Sequence, residues 1–248
     1  MCKYLNVGMF KIPTYSLLVI LGCVLCFNIA CIIVKKKQLP FREFALISMC
    51  GGIGAVVGAK FVGILTVLIE SLQLETRYDI LKDSGYSFYG GLWGLILSVF
   101  VLSKVQKIEI KQYSTDLMFL IPLCHSFWKI GCFCGGCCFG ISYNGPFAVR
   151  FPEGVNDLAG TQVLPIQLVE AAVSIIMAVV ILGMKHSFEC ISISYCLLYS
   201  VTRLILENLR YHKNGLIVPL GYVYSLISIF ICVFALINYK RNRKEKNE

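Results

Sequence analysis

The sequence predicts an all-α fold: a polytopic integral membrane helix bundle of seven transmembrane helices, with the N-terminus outside and the C-terminus cytoplasmic. Three observations predict it. Of the 248 residues, 57% are hydrophobic and only 15% charged, outside the range of soluble domains, and the mean hydropathy is +0.75. The apolar residues come in runs of the roughly 20 residues that a bilayer crossing takes. The basic residues gather at the ends of those runs, on alternate sides.

Hydropathy and punctuation place the spans near 13–34, 43–69, 87–104, 114–134, 164–184, 190–209 and 216–238. The first ends on "KKK" without a small-residue cleavage pattern and reads as a retained span. The whole of 1–248 reads as a single transmembrane domain with a basic cytoplasmic tail over 239–248.

With the N-terminus outside, the inner segments hold Lys35, Lys36, Lys37, Arg42, Lys104, Lys107, Lys111, Lys185 and five cations of the tail, thirteen in all. The outer segments hold seven: Lys3, Lys11, Arg77, Lys82, Arg150, Arg210 and Lys213. The excess lies inside, as the positive-inside rule requires. The net charge of +9 therefore reports membrane orientation, and basic patches interleaved with aromatics, which nucleic-acid binding would need, are absent.

Three cations remain, Lys60, Lys129 and Arg203, and all fall inside apolar spans. A cation at the centre of a span costs about 2.5–3.5 kcal/mol on insertion scales and marks function or a buried ion pair. Together they predict a polar interior able to receive an anion.

Span two reads "GGIGAVVGAK", with Gly54 and Gly58, and Gly51, Ala55 and Ala59, at four-residue spacing. This is a small-residue face for close helix packing, and Lys60 ends it. Span three opens with "YSFYGGLWG", where Tyr86 and Tyr89 stand at interfacial depth. Gly90 and Gly91 there suggest a helix start at which backbone donors approach an anionic ligand.

In span four His125, Lys129 and Cys132 fall at i, i+4 and i+7 and share a face. His125 is the only histidine in a span. It reads either as an interhelical hydrogen-bonding residue or, beside a lysine, as a base. Span six carries Tyr195, Tyr199, Arg203 and Glu207 at successive four-residue intervals with Arg210 one turn beyond, a single polar stripe. The stripe reads as an internal Arg203–Glu207 pair or as the wall of a headgroup cleft.

"KIGCFCGGCCFG", Lys129 to Gly140, holds four of the thirteen cysteines. Zinc would need a second matching pair beyond Cys134 and Cys137. A disulfide could join Cys132 or Cys134 to Cys137 or Cys138 across the glycine turn. The reading adopted is that the glycines and small cysteines let span four end in a tight, close-packed turn that positions Lys129 and exposes backbone donors to a lipid phosphate, the cysteines themselves taking no part in the chemistry; the other nine cysteines act as small hydrophobes in the spans.

In order, "IPTYSLL", "GGIGAVVGAK", "SFYGGLWG", "KIGCFCGGCCFG", "LPIQLVEA", "YSVTRLILENLR" and "GLIVPLGYVYS" resemble the prolipoprotein diacylglyceryl transferases. These are bacterial membrane enzymes that transfer diacylglycerol from phosphatidylglycerol to a lipoprotein-precursor cysteine. The resemblance covers nearly the whole chain. It implies residence in the bacterial cytoplasmic (inner) membrane and phosphatidylglycerol and a prolipoprotein signal peptide with its lipobox cysteine as partners. It implies neither cofactor nor metal.

By position, Tyr15, Gly140, Glu170, Tyr199, Arg203 and Glu207 match the family's motif residues. Tyr89 stands where a histidine normally precedes the two glycines, Lys129 and Lys60 where arginines are usual, Cys132 where asparagine and Cys137 where glutamate occur. The resemblance implies Arg203 and Lys129 on the lipid phosphate, Glu207 orienting Arg203, Tyr15 and Tyr199 bonding the headgroup, and Tyr89 or His125 moving the thiol proton. Lys60, Gly90, Gly91, Gly140, Glu170 and Arg210 complete the substrate-binding set. The rival reading is a relative that binds an anionic lipid or lipid-linked substrate without turnover; a transporter is disfavoured because the spans show no internal repeat.

Overall fold

The computed structural model describes residues 4–7, 10–74, 84–152, 160–184, 188–212 and 219–245. Lys3, Arg77, Lys82, Lys185, Lys213 and Lys246, used above for orientation, lie outside them. Among the described residues eight helices dominate: α1 Thr14–Lys36, α2 Phe41–Leu74, α3 Phe88–Gln106, α4 Lys111–Leu117, α5 Leu120–Gly135, α6 Ile166–Gly183, α7 Phe188–Glu207 and α8 Leu220–Glu245. Two small antiparallel ribbons accompany them, β1 Tyr4–Val7 with β2 Phe10–Pro13, and β3 Val149–Arg150 with β4 Gln162–Val163.

Among the described residues five helices, α1, α2, α3, α6 and α8, are long and apolar enough to cross a membrane, and α4 with α5 makes a sixth if the bent pair is one span. Their exposed faces are apolar: Ile20 and Ile32 on α1, Val56 and Phe61 on α2, Ile176 and Val179 on α6, Phe230 and Phe234 on α8. Those faces would be costly in water and are at home against acyl chains, so the chain is a multi-pass membrane protein. α7 carries Arg203 and Glu207 and is not among the candidate spans.

Span four, expected over 114–134, is broken: α4 and α5 meet at 45° across Met118 and Phe119. Pro122 explains the break, because it has no amide to donate and fits only the first turn of a new helix. The helix expected over 43–69 runs instead from Phe41 to Leu74; at 1.5 Å per residue it is about 51 Å long, well beyond the hydrocarbon thickness. The tail expected from 239 continues α8 as far as Glu245.

Contacts within the chain form two compact units, one of Met1–Ile33, Thr115–Tyr211 and Ser225–Glu248, the other of Val34–Ser114 and His212–Tyr224. In the second unit α2 and α3 are held together by glycines. A Cβ on Gly58 would stand 2.3 Å from the Gly90 carbonyl oxygen, and one on Gly94 would stand 2.2 Å from that of Gly54. The small-residue face of span two thus serves close packing.

In the first unit α5, α6 and α7 bury polar faces and turn apolar ones outward. On α6 the buried residues Gln167, Glu170, Ser174, Ala178 and Ile181 recur at helical spacing. Ser200 on α7 donates to Ser228 on α8 at 2.8 Å. Between α5 and α6 the chain builds a small apolar centre from Phe139, Phe151 and Val163, with Phe133 and Tyr211 packed on it.

Candidate active site

The site of the first unit grows from three helix faces. His125, Lys129 and Cys132 on α5 are all buried, as their shared face requires. α6 contributes Glu170, 4% exposed, and α7 contributes Tyr195, Tyr199, Arg203 and Glu207. Arg210 lies just past α7, where the backbone forms an antiparallel bridge with Gly140.

Glu170 is the hub. Its Oε2 stands 2.7 Å from Lys129 Nζ, its Oε1 pairs with Arg203 Nη1, and Arg210 Nη1 lies 3.6 Å from the same oxygen. Arg203 Nη2 pairs in turn with Glu207 Oε2 at 2.6 Å, one helical turn on. Three cations and two carboxylates are therefore held as one network, which is how charges persist inside an apolar bundle. Burial works against the Arg210 charge, but Cys138, Glu170 and Glu207 more than restore it and hold the guanidinium above its ordinary range.

Gly140 sets Arg210. Its amide donates to the Leu164 carbonyl at 3.1 Å, the Ile141 amide to Leu209 at 3.1 Å, and the Tyr211 amide to Phe139 at 3.1 Å. A Cβ on Gly140 would fall 2.6 Å from Leu164 O and 2.8 Å from Leu209 O, so only glycine lets the two segments close around it. Tyr15 is carried by α1 against another bare glycine: a Cβ on Gly131 of α5 would stand 3.2 Å from the Tyr15 carbonyl.

His125 sits beside this network. Its ring meets Tyr199 edge-on at 5.4 Å, and its Nδ1 is 3.2 Å from Ser174 Oγ. The Ser174 hydroxyl donates its single proton to the Glu170 carbonyl at 2.8 Å. It must then accept from His125, which puts the ring proton on Nδ1 and leaves Nε2 as the nitrogen with the lone pair.

Residues 3–238 match the family described as prolipoprotein diacylglyceryl transferase. The chain belongs to this family. Among its relatives, the phosphatidylglycerol–prolipoprotein diacylglyceryl transferase of Clostridium tetani is 26% identical over 85% of this chain and 87% of its own length. Transferase 1 of Clostridium perfringens is 24% identical over 98% and 96%, and the Thermotoga maritima protein 24% over 83% and 73%.

Of the candidate site residues read from the sequence, the structure brings His125, Lys129, Glu170, Tyr199, Arg203, Glu207 and Arg210 into one neighbourhood, with Tyr15 and Gly140 on its backbone frame. Tyr89, Lys60, Gly90 and Gly91 belong to the second unit. There Lys60 Nζ donates to Ser84 O and Oγ, both at 2.8 Å, and lies 5.4 Å from the Tyr86 ring centre. Tyr89 packs on Tyr224 at 6.1 Å, whose hydroxyl meets Thr66 at 3.0 Å.

The glycines expected to offer amides to an anion serve the helix itself. Gly90 N donates to the Ser87 side chain at 3.5 Å and Gly91 N to Ser87 O at 3.0 Å, while the Gly58 carbonyl fills the space beside Gly90. Sequence reasoning did not single out Gln167 and Ser174. Their signal was present, since Gln167, Glu170 and Ser174 fall at i, i+3 and i+7 on an otherwise apolar helix.

Proposed function

We propose that this protein transfers a diacylglyceryl group from phosphatidylglycerol to the lipobox cysteine of a prolipoprotein in a bacterial cytoplasmic membrane. The substrate thiolate attacks the glycerol carbon bearing the phosphate. A C–S bond forms, the C–O bond to phosphate breaks with its electron pair going to oxygen, and glycerol phosphate leaves. The observation that carries this reading is the convergence of Lys129, Arg203 and Arg210 on Glu170, together with membership of the family.

In this reading Lys129 and Arg203 stabilise charge on the leaving phosphate, and Glu207 and Glu170 hold Arg203 in register. Tyr15 and Tyr199 bond the headgroup. The thiol proton goes to a base because the thiolate is the nucleophile. His125 fits that part better than Tyr89, since its ring lies against Tyr199 in the same unit as the Lys129–Glu170–Arg203 network, whereas Tyr89 belongs to the second unit. Seven spans, with α7 as the buried polar one, and an outer N-terminus complete the proposal.

Purified protein in phosphatidylglycerol vesicles, given a lipobox peptide, is expected to add a diacylglyceryl mass to the peptide, and Arg203→Ala to abolish it. No mass shift with the unaltered protein, while phosphatidylglycerol still co-purifies, would establish the lipid-binding alternative instead.

A further inference from the structure

At the end of α5 the chain reverses twice. Gly136 (φ 74°) and Cys138 (φ 57°) both take the left-handed backbone conformation, which glycine adopts freely and cysteine only at a cost that its surroundings must offset. The Gly136 amide donates to Phe133 O at 3.3 Å, the Cys137 amide to Cys132 O at 3.1 Å, and the Gln167 side chain to Cys137 O at 2.7 Å. This folding carries the sulfurs of Cys132, Cys137 and Cys138 to within 4.8 Å of one another.

Cys134 is outside the group because two residues turn a helix by about 200°. The three grouped residues carry free thiols. Thiolates bound at about 2.3 Å to a tetrahedral zinc ion stand about 3.8 Å apart, so the sulfurs need to close by only about 1 Å. We propose that Cys132, Cys137 and Cys138 form a three-thiolate site for a soft divalent cation, zinc(II), with its fourth position open to an external thiol.

Three sulfur donors select a soft ion over magnesium or calcium. Among the described residues the group has three members, the ligand number of zinc sites that keep a position for substrate. Binding releases the three thiol protons to solvent and leaves a centre of net charge minus one, which Arg210, beside Cys138, and Lys129, on the same face of α5 as Cys132, are placed to offset. Cys137 is exposed and gives the ion its way in. The open position takes up a thiol as thiolate, the thiol's proton leaving to solvent; if the transferase reading is right, the lipobox cysteine is such a thiol, its proton passing to the base of that reading.

The test is cobalt(II) titration of the reduced, metal-stripped full chain in lipid nanodiscs. One equivalent is expected to give a thiolate-to-cobalt absorption band that zinc(II) displaces, that Cys134→Ser and Cys196→Ser retain, and that Cys137→Ser loses. Position 137 is exposed, and an unchanged melting curve checks that the variant is folded. Adding N-acetylcysteine amide is expected to shift the cobalt ligand-field bands. A missing band, or one that survives Cys137→Ser and Cys138→Ser, overturns the site; bands indifferent to the added thiol overturn the open position. Both readouts are independent of turnover, so an inactive transferase would leave them standing.

Discussion

Lys129 on α5 and Arg203 on α7 meet on opposite oxygens of one buried carboxylate, Glu170. Each cation would be costly in an apolar bundle without that carboxylate, and removing one partner of a buried pair costs about 3–5 kcal/mol. Glu170→Gln keeps the shape and removes the charge. Its thermal unfolding in nanodiscs is expected to show a loss of that order, together with loss of transfer activity, whereas Lys129→Arg is expected to keep the fold.

His125 and Ser174 separate the two candidates for proton transfer. General-base groups contribute about 10²–10⁴-fold to rate. His125→Gln is expected to lower turnover by about 10²-fold or more with the KM for lipid little changed, and Ser174→Ala to lower it less by freeing the ring tautomer. Tyr89→Phe is expected to retain turnover. Steady-state kinetics on the lipobox peptide would show the opposite order if Tyr89 were the base.

Gly140→Ala places a methyl group against two backbone carbonyls. Backbone cannot move aside as a flexible side chain can, so the cost is expected at about 1–3 kcal/mol. The bridge to Arg210 should loosen as well, seen as lower phosphatidylglycerol affinity than the stability loss explains.

Gly58 and Gly52 form a contrast within α2. A side chain at Gly58 meets the Gly90 carbonyl at 2.3 Å, while one at Gly52 meets nothing within 4 Å. Gly58→Leu is expected to force α2 from α3 and lower the melting temperature. Gly52→Ala is expected to stay within about 0.5 kcal/mol of the parent.

Much of this was legible in the sequence because helix faces are local. The spacing of His125, Lys129 and Cys132 gave a shared face, which the structure buries, and that of Arg203 and Glu207 offered a pair as one of two readings, which the structure forms. "GGIGAVVGAK" announced close packing, and α2 and α3 supply it. The break before Pro122 was equally available, yet an apolar run reads as continuous when hydropathy alone is followed. Lys60 was expected among substrate-binding cations; its ammonium group instead meets Ser84, a partner 24 residues away that no periodicity points to.

Composition and the 3.6-residue period thus determined by themselves that the chain is helical, lies in a membrane and hides a polar stripe, because each depends only on neighbours within a turn or two. Tertiary structure decided that Glu170 is where the cations of α5 and α7 converge, because a buried charge takes its partners from whichever faces the packing brings together. It also decided that Cys132, Cys137 and Cys138 meet. A left-handed cysteine has no mark in the sequence; hydrogen bonds from parts of the chain distant in sequence close the end of α5 around it.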